Sequence, residues 1–232
     1  MRKVPRKNIP YLIVGSGRLA RHLAQYFKLL NISFLSWDRS NKDPLFTYFQ
    51  NVDKVLLAVS DGSIEKLAFS ISNKTVIHFS GALRIPELES AHPLYTFGYD
   101  LYDLEVYKTI PFVTEKGKRP FKELFPELNN QSFQIKSKDK ELYHAWSSMA
   151  GNFSSLLITE YIKILKKLGL PSNISKPYLL QVVVNSVQTD KALTGPIQRG
   201  DKKTISKHLE VIEEDFISIY KSFISLVLKR YS

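Results

Sequence analysis

Short apolar runs and helical repeats alternate along the first half of the chain. Tyr11, Leu12, Ile13 and Val14 form an apolar run that stops at Gly15, the pattern of a strand buried on both faces. Directly after it, Leu19, Leu23, Tyr26, Phe27 and Leu30 recur at helical spacing. Further strands are predicted over residues 32–37, 54–59 and 75–79, and residues 64–71 fit a crossover helix between the last two. Candidate strands over 109–114 and 132–135 flank a predicted helix over 121–128. Strand, helix, strand in repetition predicts a parallel, doubly wound sheet.

From about Lys138 the pattern changes to long helical periodicity, over residues 142–168, 177–193 and 204–229. Gly169 with Pro171 stops the first of these helices and Gly195 with Pro196 the second, while Asp201 or Thr204 can cap the third. The expected fold class is therefore α/β: a Rossmann-type parallel-sheet domain over residues 1–135, followed by an all-helical domain over 136–232. The helical part carries apolar surface on Leu179, Val182, Val183 and Val187, and on Ile212, Phe216, Ile219 and Phe223. That surface suggests a homodimer formed through the helical domain.

Composition narrows the chemistry. The 232 residues, 44% of them hydrophobic, suffice for a real core. With no cysteine, disulfides, thiolate metal sites and cysteine nucleophiles are excluded. Five histidines, His22, His78, His92, His144 and His208, show no metal-ligand spacing, and no metal is expected. The net charge of +11 raises the question of nucleic acid. The basic residues are nevertheless dispersed: Arg2, Lys3, Arg6 and Lys7 form a short arm, and Lys116, Lys118, Arg119 and Lys122 a second patch. Lys163, Lys166 and Lys167 alternate with apolar helix positions. Solvated faces and an anionic cofactor or substrate account for them better than DNA or RNA does. The arm is too short for a transit peptide, and no run reaches the roughly 18 apolar residues of a membrane span. A cytoplasmic protein without nucleic-acid or membrane partners is expected.

Gly15-Ser16-Gly17-Arg18-Leu19-Ala20 reads G-x-G-x-x-A between a predicted strand and a predicted helix. In that context Gly15 permits the tight turn, Gly17 lets the backbone approach a pyrophosphate, and Ala20 lets helix and sheet pack closely. The helix N-terminus offers free N–H groups to the phosphates. Gly15, Ser16, Gly17, Arg18 and Leu19 are thus candidate cofactor-binding residues; the competing reading is a plain glycine turn. After the second strand stand Asp38, Arg39 and Ser40, where an acid suits a ribose hydroxyl and an arginine a 2′-phosphate. Arg39 and Ser40 favour NADP over NAD, with a polar turn as the alternative.

The fourth strand runs into His78-Phe79-Ser80-Gly81, and Ala91-His92-Pro93 follows. Ligands of open α/β sheets sit outside the carboxyl ends of the strands, which puts Ser80 near the reacting end of a dinucleotide. His92 has the residue type to exchange a proton near neutrality. A turn histidine bonded to backbone is the competing reading. His144, Ser148 and Asn152, at i, i+4 and i+8, share a helix face that could hold a substrate or form an internal network. Arg199, in the turn Gln198-Arg199-Gly200-Asp201, could clamp a carboxylate or simply punctuate two helices.

Taken together, GSGRLA, VIHFSGAL, AHPLYTF, LYHAWSSMAGNF and ALTGPIQRGD resemble a bacterial family that joins a Rossmann-like domain to a helical C-terminal domain of unknown function. The resemblance extends to pyrroline-5-carboxylate reductase, ketopantoate reductase and prephenate dehydrogenase, in the 6-phosphogluconate-dehydrogenase-like group. It implies a fold and a cofactor class, NADP or NAD, rather than a substrate. Ser80 and His92 stand where prephenate dehydrogenases have a serine after a strand and a histidine in an HP motif, acting at the reacting carbon. The downstream residues of that family do not appear. In β-hydroxyacid dehydrogenases a lysine precedes a helical asparagine by four residues; this chain keeps Asn152 but has Ser148 in the lysine's place, which argues against lysine-based acid/base chemistry. The expectation is an NAD(P)-dependent oxidoreductase of a small anionic substrate, with Ser80 and His92 catalytic and His144, Asn152 and Arg199 holding the substrate. A nucleotide-binding sensor or assembly protein on the same fold is the alternative.

Overall fold

The computed structural model describes residues 9–50 and 52–231. The basic arm Arg2 to Lys7 lies outside the described residues. The described chain runs β1 (Ile9–Val14), α1 (Arg18–Leu29), β2 (Phe34–Trp37), α2 (Leu45–Phe49), β3 (Val52–Leu57), α3 (Asp61–Ala68) and β4 (Thr75–His78). Two short strands follow, β5 (Glu89–Ser90) and β6 (His92–Pro93), then α4 (Leu104–Thr109), β7 (Phe112–Glu115), α5 (Phe121–Leu124) and β8 (Ser132–Ile135). The helical part comprises α6 (Lys140–Ser148), a π-helical turn at Met149–Phe153, α7 (Ser154–Lys167), α8 (Lys176–Gln188), α9 (Lys202–Val211) and α10 (Glu214–Tyr231).

Strands β2-β1-β3-β4-β5 form one sheet, parallel throughout. Alternate residues of β1 serve opposite faces: Tyr11 and Ile13 join Phe27, Leu56 and Ile77 on one side, whereas Leu12 and Val14 join Val55, Leu57 and Ile64 on the other. Both faces are covered, which is why the strand reads as a continuous apolar run. The expected strands 109–114 and 132–135 are not additions to this sheet. They correspond to β7 and β8, which with β6 make a separate three-stranded sheet in which β6 and β7 are antiparallel.

Several boundaries differ from expectation for identifiable reasons. Strand β2 begins at Phe34 rather than residue 32, because Asn31 is left-handed (φ 56°) and the Ile32 amide closes the end of α1 on the Phe27 carbonyl. Helix α5 ends at Leu124, not 128: Phe125 precedes Pro126 and is pushed out of helical geometry (φ −134°, ψ 73°). The single helix expected over 204–229 is two helices. Ile212 is extended (ψ 138°), and Glu214 and Asp215 supply the acidic first turn of α10.

The described chain divides into two compact units between Leu156 and Leu157. In the second, Gly169 (φ 75°) ends α7, with Leu170 N–H returning to the Leu165 carbonyl at 2.9 Å. Asp201 caps α9, accepting from the Thr204 amide at 3.0 Å. His208 and the Tyr220 hydroxyl, 2.7 Å apart, link α9 to α10. No helix among the described residues is long and apolar enough to cross a membrane.

Candidate functional site

The order β2-β1-β3 places β1 where the chain reverses its winding direction, and the crevice at the carboxyl ends of β1 and β3 is the ligand site of such sheets. Gly15 sits in that crevice. Its amide donates to the Trp37 carbonyl at 2.8 Å, its φ is 129°, and a Cβ there would lie 2.3 Å from the Ala58 carbonyl oxygen. Glycine is required for the strands to close around the turn. Gly17 differs: it is exposed, and a Cβ there would meet nothing within 4 Å. It occupies the N-cap of α1 without a side-chain cap, and the first turn carries no acid. The leading amides of α1 therefore form an uncapped donor cluster suited to an anion. Ser16 and Arg18 are exposed beside it, and Leu19 packs against the core. Arg18 is partly engaged elsewhere, donating to the Phe97 carbonyl at 3.3 Å with its guanidinium 5.5 Å from the centre of the Tyr99 ring.

At the end of β2, Asp38 accepts from both the amide and the hydroxyl of Ser40, at 2.7 and 2.6 Å, and these bonds lower its pKa. Ser40 is thus tied to Asp38, while Arg39 is exposed beside them.

A second cluster forms where β4 ends. Ser80 is buried, donates to the Asp61 carboxylate at 2.8 Å, and accepts from the Ala82 and Leu83 amides at 3.2 and 3.0 Å. One donor and two lone pairs are thereby all used within the chain. His92 Nδ1 lies 2.8 Å from the Tyr143 hydroxyl, and its ring stands nearly perpendicular to that of His144, 5.8 Å away. Burial, then the neighbouring His144 and Lys140, bring the His92 pKa down to about 4, so the ring is neutral at pH 7. Gly81 makes this grouping possible: a Cβ there would lie 2.5 Å from His144 Cδ2 and 3.0 Å from His92 Nε2.

Helix α6 is anchored at its first residue. Lys140, 3% exposed, donates to Glu115 and Ser90 at 3.1 and 3.2 Å. Glu115 also accepts from Ser90 at 2.7 Å and from Ser137. Burial by itself would raise the Glu115 pKa, but the bonds from Ser137, Ser90 and Lys140 outweigh it and hold it at about 2. Burial pushes Lys140 below the ordinary lysine range, with Glu115 opposing. Since Lys140, Tyr143 and His144 are i, i+3 and i+4, this anchor sets Tyr143 against His92 and His144 against Gly81.

Ser80, His92 and His144 are thus brought together. Asn152 is exposed in the π-helical turn, a feature frequent at functional sites. Arg199 belongs to the second unit, exposed on the turn between Gly195 and Gly200. Sequence reasoning missed Asp61, Gly81, Lys140 and Tyr143; the adjacent Tyr143-His144 pair, three and four residues beyond Lys140, was the available signal. Three of the four residues of the second basic patch make internal bonds, and Lys116 is exposed. Lys118 donates to the Ile85 and Leu88 carbonyls, Arg119 approaches Glu89 at 3.6 Å, and Lys122 donates to Leu128 and Asn129.

Residues 111–225 match a family model described as a domain of unknown function, DUF2520. No curated protein matches the chain in sequence. Among solved structures, a Bacteroides fragilis protein provisionally assigned as an NADP oxidoreductase is 19% identical, with a TM-score of 0.78, over 96% of this chain and 99% of that one. Plasmodium falciparum pyrroline carboxylate reductase, determined with NADP bound, is 18% identical with a TM-score of 0.58, over 96% and 94% of the two chains. An Aspergillus terreus reductive aminase in complex with NADPH and ethyl levulinate is 11% identical with a TM-score of 0.64, over 96% and 94%. The shared feature is the fold: a Rossmann-like parallel sheet with helices, followed by a helical C-terminal region.

Proposed function

We propose that the chain binds a nicotinamide dinucleotide, NADP(H) in preference to NAD(H), and acts as an oxidoreductase on a small anionic substrate. The observation that carries this reading is the contrast between Gly15, closed in by Ala58, and Gly17, open in front of the uncapped N-terminus of α1. A turn that served only to join strand to helix would need the first glycine but not the second. Support also comes from structural neighbours whose descriptions name NADP or NADPH. Ser16, Gly17, Arg18 and Leu19 would receive the pyrophosphate, Gly15 would shape the turn, and Arg39 and Ser40 would face the adenosine ribose. Bound there, the cofactor would supply or accept a hydride.

The chain's own contribution centres on the β4 end. Ser80, with Asp61, fixes the turn that carries Gly81, and His92 and His144 offer ring nitrogens to the substrate. Asn152 is the further candidate for holding its anionic group. A second reading, a dinucleotide-binding sensor without turnover, has two observations in its favour: the Ser80 hydroxyl is fully engaged, and His92 does not ionise near neutrality.

Titration of the purified protein with NADPH and NADH, alongside the Gly17→Val variant, tests the proposal. Saturable binding of NADPH, abolished in a folded Gly17→Val protein, is expected. Binding that survives this substitution overturns the assignment of the turn, and turnover of small keto acids, imines or hydroxy acids separates enzyme from sensor.

The dimer belongs to the same reading. Helix α8 has no buried residue although Val183 and Val187, among others, are apolar and 58% and 83% exposed. An apolar helix left bare is suited to a second copy. Light scattering should give twice the chain mass, reduced to one in a Val183→Glu/Val187→Glu variant; a monomeric wild-type protein overturns the dimer.

A further inference from the structure

We propose that Tyr143 is a positioning residue: its phenol donates to Nδ1 of His92, fixes the ring proton on Nε2, and so presents His92 to the ligand as a hydrogen-bond donor. The inference rests on the site proposed above and names what that site takes, a substrate with a carbonyl or carboxylate oxygen directed at His92.

The geometry supplies the argument. The Tyr143 hydroxyl is 2.8 Å from His92 Nδ1, and the rings meet edge to face at 82°. A phenol has one proton to give, and its neighbours among the described residues are His92 Nδ1 at 2.8 Å and the Ser147 hydroxyl, whose own proton goes to the Tyr143 carbonyl at 2.9 Å. Donation satisfies both atoms. The opposite arrangement, Nδ1–H into the phenol oxygen, leaves the phenol proton only the Ser147 hydroxyl on the next turn of α6, a weaker acceptor than an imidazole nitrogen. Once Nδ1 is an acceptor, a neutral imidazole must carry its proton on Nε2. That edge lies against Gly81, where the absence of a side chain leaves it uncovered, and no described residue bonds it. Burial keeps the ring uncharged, His144 and Lys140 from α6 add to it, and Asp61 from α3 offsets them only in part. Tyr143 itself is held protonated, because burial raises its pKa. A fixed neutral N–H in a partly buried site stabilises charge that develops on an oxygen, without exchanging a proton. The neutral histidine electrophile of triosephosphate isomerase works in this way.

The experiment is long-range proton–nitrogen correlation spectroscopy of the ligand-free, nitrogen-15-labelled full chain, with His92 assigned from the spectrum of His92→Gln. A single neutral form is expected at pH 7, with a protonated-type Nε2 shift and an unprotonated-type Nδ1 shift, unchanged down to pH 5. In Tyr143→Phe, which removes one hydroxyl, His92 should become a mixture of both tautomers. A wild-type proton on Nδ1, or a Tyr143→Phe spectrum identical to wild type, overturns the proposal; the first reading needs no variant to fold. Because the tautomer is read without ligand, failure of the cofactor assignment appears separately, as absent NADPH binding with the tautomer intact.

Discussion

Gly15 and Gly17 show how one residue type answers to two constraints. Gly15 combines a positive φ with a backbone oxygen 2.3 Å from any added Cβ. Gly15→Ala should therefore lower unfolding stability by about 2 kcal/mol or more, read by urea denaturation, whereas Gly17→Val, at the N-cap of α1, should cost about 1 kcal/mol or less. A Gly15→Ala protein of wild-type stability contradicts this close approach of β1 and β3. The spacing of the two glycines was legible in the sequence, but which was structural was not, because that depends on Ala58, some forty residues away. Lys140 and Glu115 are a harder case. Neither stood out, since charged residues are read as solvated unless tertiary structure buries them. Lys140→Met would strand the Glu115 carboxylate among its serine partners and is expected to cost about 3–5 kcal/mol, while Lys140→Met/Glu115→Gln recovers part of that loss. A single variant within about 0.5 kcal/mol of wild type sinks the buried pair.

Among the elements, those with a long one-sided period were placed well. Helix α1 buries Ala20, Leu23, Tyr26 and Phe27 on a single face, matching the helical repeat read there. Short elements escaped: α2 and α4 have five and six residues, too few for a period to emerge. Strands β5 and β6 have two residues each and exist through their neighbours. The start of α9 was legible because Asp201 caps it through its own side chain. Asp201→Ala should cost about 1 kcal/mol, measured as a lowered thermal midpoint, and loss of no stability would show the cap to be idle. Its end was not legible, since the apolar period runs unbroken through Val211 and Ile212 while the backbone turns.

For the whole molecule His78, buried, and His92, partly buried, make stability depend on acid. Burial lowers His78 to about 3 and His92 to about 4, from 6.5, so between pH 6.5 and about 4 the unfolded chain takes up protons that the folded one refuses. Stability is fully present above pH 6.5 and falls through that window by about 1.4 kcal/mol per pH unit for each histidine. The loss continues below pH 4.5 as Glu115, depressed to about 2, resists protonation only in the folded state. Thermal midpoints recorded from pH 7.5 to 4 should decline accordingly, and a flat profile would mean that neither ring is buried neutral. The sequence by itself determined the alternation of strand and helix, the glycine turn between β1 and α1, and the helical second half, because these are written in local period and backbone permissiveness. Only the tertiary structure decided that His92 and His144 meet at Gly81 with Tyr143 bonded to His92, that Lys118, Arg119 and Lys122 of the second basic patch serve internal bonds, and that Ser80 has no free hydrogen-bonding capacity. The meeting at His92 depends on groups some fifty residues apart being held at hydrogen-bond distance by a sheet and an anchored helix, which no local pattern encodes.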